Sequence, residues 1–178
     1  MGGKCGGMNK TLIDYGIKTE GSDIRIHVCP IVKQVYVYET NEAVEQIESK
    51  SYPTGNAYTN SIITGVGYLV PSEEIPDCIS ISIPTNWART FKKNMTTTEK
   101  GDLAVRLIKT MLKKKMIPIP LNVTEIKEED LQISGIDIIV KASIRLQVKC
   151  DFNGGDKQLG GTGNLFLQIQ ECNPYRQI

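Results

Sequence analysis

The reading of the fold turns on Gly135–Cys150, GIDIIVKASIRLQVKC. Two runs rich in β-branched and aliphatic residues, GIDIIV and IRLQVKC, flank a tight connection near Ala142–Ser143. Short apolar runs broken by small and polar residues read as the two strands of a hairpin. Successive side chains of a strand point to opposite faces, so Gln147 and Lys149, two apart, project from one side. Asp137, at the end of the preceding strand, is expected to meet them across the pair. An acid, an amide oxygen and an amine then form one cluster.

Upstream lies the clearest helix, TTTEKGDLAVRLIKTMLKKKM, from about Thr96–Thr98 to Met116. Thr96 and Glu99 have capping-box spacing, and Leu103, Leu107, Ile108, Met111 and Leu112 give one apolar face. Glu99 and Asp102 in the first turn and Lys113, Lys114 and Lys115 in the last suit the helix dipole. Further upstream, DIRIHVCPIVKQVYVYE alternates apolar and polar residues on both sides of Pro30, as a strand pair or one bent strand does. Thr40–Lys50 reads as a short amphipathic helix, and Asn56–Val70 and Cys78–Ile83 return to strand character. Downstream, the glycine-rich Asn153–Gly163 is either a mobile segment closing over substrate or a disordered connection, and Asn164–Gln170 is a strand. The expected organisation is a flexible lead-in over 1–22, a β-rich region over 23–88 and a core over 89–178. The fold class is α+β or α/β.

Composition narrows the function. With 21 Lys+Arg against 20 Asp+Glu, a net charge of +1 and 40% hydrophobic residues, the 178-residue chain has the balance of an ordinary globular protein. Any nucleic-acid binding must come from a local groove rather than a global field. No apolar run approaches a bilayer span, and Met1–Lys10 has no signal-peptide core, so a soluble cytoplasmic protein with no membrane partner is expected. Five scattered Cys with no CxxC pair, and His27 as the sole imidazole, argue against zinc sites and histidine acid–base schemes. His27 is read as structural. Cys150, beside Lys149, is either a thiol of lowered pKa or, as favoured here, a buried strand residue.

Phosphodiester hydrolysis needs a cluster of this kind, because a hard cation takes oxygen ligands and an ammonium can hold the attacking water. GIDIIV followed by QVK, preceded by KGDLAVRLIKTMLKKKMIPIP, resembles the PD-(D/E)XK nuclease superfamily over roughly Thr96–Gln170. The likeness is to Mrr-type restriction enzymes and archaeal Holliday-junction resolvases. It implies a restriction-endonuclease-like core, a helix followed by a mixed sheet, and Mg²⁺- or Mn²⁺-dependent hydrolysis of DNA by a homodimer. Carried over, Asp137 is the metal-bridging acid, Gln147 the variant ligand, Val148 a backbone-carbonyl ligand and Lys149 the water-activating residue. Val105 stands where the family's helix acid is expected, with Glu99 or Asp102 as substitutes. Lys100, Arg106, Lys113, Lys114 and Lys115 form a basic flank that could touch phosphates. The family core runs αβββαβ, whereas a loop and one strand follow Lys149 here, so its last elements are missing, rearranged or supplied by a partner. The rival reading is a non-catalytic nucleic-acid-binding or assembly module on a degenerate nuclease fold.

Overall fold

Alternation in Asp23–Cys29 (β1) places Ile24, Ile26 and Val28 on one face and Arg25, His27 and Cys29 on the other. All of them but Asp23 are buried, because both faces of the strand are covered. The computed structural model describes residues 23–49, 55–57, 64–118, 126–127, 138–140 and 144–172. β1 turns back at Pro30–Lys33 into antiparallel β2 (Gln34–Glu39), with Lys33 N–H donating to Pro30 O at 3.2 Å and Lys33 at φ 55°. β2 runs directly into α1 (Thr40–Ser49). The Glu39 carboxylate accepts from the backbone N–H groups of Asn41 and Glu42 and so satisfies donors that an incoming helix leaves orphaned.

β3 (Gly55–Ala57) and β4 (Thr64–Pro71) pair antiparallel, and β5 (Ile79–Ser82) joins the other edge of β2. After the one-turn α2 (Thr85–Ala88) comes α3 (Thr97–Lys113). Both halves of the expected capping box form: Glu99 N–H donates to Thr96 Oγ1 at 3.1 Å, and Thr96 N–H to Glu99 Oε2 at 2.8 Å. β6 (Ile126–Lys127), β7 (Ile138–Val140) and β8 (Ile144–Cys150) form an antiparallel meander. β9 (Asn164–Cys172) pairs with β4.

These strands build a mixed six-stranded sheet in the order β5-β2-β1-β8-β7-β6 and a three-stranded sheet β3-β4-β9. β1 and β8 run parallel, in the register Arg25↔Gln147, Ile26↔Val148 and His27↔Lys149. Regions 23–88 and 89–178 thus contribute strands to both sheets.

Two cores lie on the two faces of the large sheet. On one face Ile24, Ile26, Val28, Leu146 and Val148 pack against Ala104, Leu107, Ile108, Met111 and Leu112 of α3. Each such large side chain contributes roughly 1.5–3 kcal/mol. On the other, Cys29, Tyr36 and Tyr38 pack against Ala43 and Ile47 of α1, Val70 of β4 and Leu165 and Leu167 of β9.

The glycine-rich loop differs from expectation, being neither disordered nor unattached. Thr162 N–H donates to Asn153 O at 2.8 Å, Gly163 N–H to Gly155 O at 2.6 Å, and Asp156 N–H to the Tyr36 hydroxyl at 3.0 Å. Its glycines are needed for contact: a Cβ on Gly161 would lie 2.6 Å from Gly155 O and 2.8 Å from Val32 Cγ1. Among the described residues no helix is long and apolar enough to cross a membrane.

Candidate functional site

Gln147 and Lys149 share one face of β8, as the two-residue spacing requires, and the parallel register sets Arg25 and His27 of β1 beside them. Asp151, one residue past β8, continues the same side; its N–H donates to Val28 O at 3.0 Å. α3 covers the opposite face of β8, through Leu146 and Val148.

Arg25 is 5% exposed, and its Nε and Nη2 donate to Gln147 Oε1 at 3.1 and 2.7 Å. The Tyr38 hydroxyl lies 2.7 Å from His27 Nε2. His27 Nδ1 lies 2.5 Å from Asp151 Oδ2. A carboxylate accepts, so His27 Nδ1–H donates to Asp151, and Nε2 of the neutral ring accepts from the Tyr38 O–H. A neutral imidazole in one tautomer satisfies every member of the chain Tyr38, His27, Asp151.

The electrostatics agree. Burial pushes the His27 pKa below its ordinary value, outweighing the attraction of Asp151, and the cations Arg25 and Lys149 act in the same direction as burial. We therefore treat the close His27–Asp151 contact as a hydrogen bond to a neutral ring rather than an ion pair. Burial likewise raises the Tyr38 phenol, against the pull of Arg25. The Cys150 thiol is pushed up to about 12, chiefly by burial, so proximity to Lys149 does not activate it. Cys29 moves up for the same reason.

Asp137 lies outside the described residues. Of the remaining expected metal ligands, Gln147 Oε1 already accepts two N–H groups from a cation, and Val148 is paired in the β1–β8 ladder. The Glu99 carboxylate caps α3. Asp102 is exposed on the first turns of that helix, while Val105 packs against the core. Among the described residues no group of three His, Cys, Asp or Glu could hold a metal ion. Gln147 Oε1 and the Glu99 carboxylate are thus already engaged within the protein. Asp151 does not complete the set around Gln147, since four residues along a strand span about 13 Å.

The basic flank belongs to the helical layer. Arg106, Lys113, Lys114 and Lys115 are exposed. Lys100 Nζ sits 4.4 Å from the centroid of the Phe152 ring, and Lys114 Nζ 5.8 Å from that of Trp87.

Sequence reasoning missed Arg25, Tyr38 and Asp151 and gave His27 no partners. The alternation in DIRIHVC already placed Arg25 and His27 on one face, and QVKCD placed Gln147, Lys149 and Asp151 on one face. What it lacked was the knowledge that the two strands are neighbours. The chain matches no family model, no curated protein and no solved structure.

Proposed function

We propose that the protein is a metal-dependent endonuclease hydrolysing DNA phosphodiester bonds, with Asp137, Gln147 and Lys149 as its working residues. The observation that carries this reading is the order of elements around β8. α3 precedes the meander β6, β7, β8, and β8 presents Gln147 and Lys149 on one face between antiparallel β7 and parallel β1. An αβββαβ core also has a strand parallel to its third, since a helical crossover joins the two. Here β1, from the other end of the chain, is that parallel strand.

In this reading Asp137 would hold a divalent cation, which would supply charge neutralisation at the phosphate. The Lys149 ammonium stabilises charge developing on a phosphoryl oxygen. His27 and Tyr38 are buried and satisfied, so they brace the sheet rather than react. Cutting both strands calls for two copies, so a homodimer belongs to the proposal.

One observation favours the second reading, a nucleic-acid-binding module without catalysis: the Arg25 guanidinium stands at Gln147 Oε1, the atom a metal would use. The deciding experiment incubates the protein with supercoiled plasmid, branched DNA and RNA in Mg²⁺, Mn²⁺ or EDTA. Metal-dependent DNA cleavage, lost by at least about a hundredfold in Asp137→Ala and Lys149→Ala, is the expected result. Binding without cleavage of any substrate would establish the second reading instead.

A further inference from the structure

Both lone pairs of Gln147 Oε1 face Arg25, which donates to it through Nε and Nη2. The identity of that atom follows from chemistry, because a guanidinium cannot face the amide NH₂. Gln147 is half-buried, and its Nε2 makes no hydrogen bond among the described residues. Arg25 is itself held in place by burial. A cation ligated by Oε1 would displace these two bonds and stand against a buried positive charge.

We infer that Arg25 is a positioning residue: by holding Gln147 Oε1 it withholds that oxygen from a metal and turns the Gln147 amide N–H groups outward to donate to a phosphodiester oxygen. This inference rests on the reading of the partner as nucleic acid, and it reverses the role the family resemblance assigns to Gln147, from metal ligand to anion-facing donor. Lys149, two residues along the same face, adds positive charge beside the donor.

The test measures two affinities on the full chain: Mn²⁺ alone, by electron paramagnetic resonance, and a short DNA duplex in EDTA, by fluorescence anisotropy. Gln147→Leu is expected to weaken duplex binding about tenfold, the loss of one hydrogen bond to a charged group, while Mn²⁺ affinity stays within about twofold. Arg25→Lys keeps the charge but not the fork, and is expected to reproduce the Gln147→Leu loss. The double variant should be no weaker than either single one, since Arg25 acts through Gln147. Should Arg25→Lys not fold, the ¹⁵N resonance of Arg25 Nε in the wild type and in Gln147→Leu replaces it, and a clear shift between them is expected.

Loss of Mn²⁺ affinity in Gln147→Leu with duplex binding intact would overturn the inference and restore Gln147 as a ligand. Additive losses in the double variant, or an unmoved Arg25 resonance, would overturn the positioning role. A wild type that binds neither Mn²⁺ nor duplex would overturn the proposed function itself, and this inference with it.

Discussion

Because His27 is the only imidazole in the chain, its protonation can be read without interference from any other. Its ring is fully buried, and its pKa lies below the ordinary value chiefly through desolvation. The folded state therefore keeps it neutral while the unfolded chain takes up a proton below about pH 6.5. The unfolded state binds more protons in that window, so stability falls as pH falls through it, until the folded-state pKa is reached. One differential proton is worth about 1.4 kcal/mol per pH unit. Lowering the pH from 7.5 to 5.5 should then cost up to about 1.4 kcal/mol through this group alone. The structural reason is the proton count: a proton on Nε2 would face the Tyr38 O–H that now donates to it, and would add a cation near Arg25 and Lys149. Urea unfolding of the wild type and of His27→Gln across this range isolates the contribution as the difference between their pH slopes. The imidazole ¹⁵N spectrum of the folded protein should show the Nδ1–H tautomer and no titration near pH 6.5. A folded-state pKa at or above 6.5, or a wild type that gains stability relative to His27→Gln as pH falls, would refute the reasoning.

Two further substitutions test the fold around the site. Gly161→Ala forces a methyl group within 2.6–2.8 Å of Gly155 O, Gly154 O and Val32 Cγ1. It should cost about 1–3 kcal/mol by denaturant titration, and an unchanged midpoint would mean that the loop yields freely. Thr96→Ala removes one half of the α3 capping box and should cost about 1 kcal/mol in the same assay, with helical amide exchange fastest in the first turn.

The parts of the fold that could be read early are those with local causes. α3 follows from its capping box and apolar face, and its observed cap at Thr96 is the one the Thr96/Glu99 spacing implies. α1 follows from the spacing of Ala43 and Ile47, which are buried in the second core. The β7–β8 hairpin, and the shared face of Gln147 and Lys149, follow from period-two alternation. The ordered glycine loop had no such signature: glycines suit both a mobile segment and a tightly packed one, and packing against Val32 and Tyr36 decides between them.

By itself, then, the amino-acid sequence determined α1, α3, the β7–β8 pair and which side chains share a strand face, because backbone periodicity and capping act between near neighbours. The tertiary structure alone decided that β1 lies parallel to β8, and so that Arg25 meets Gln147 from 122 residues away. No local pattern specifies the partner of a strand buried on both faces; it is chosen by which pairing covers both apolar surfaces at once and leaves every buried polar atom bonded. Among the described side chains that condition is met, with no buried nitrogen or oxygen left without a partner.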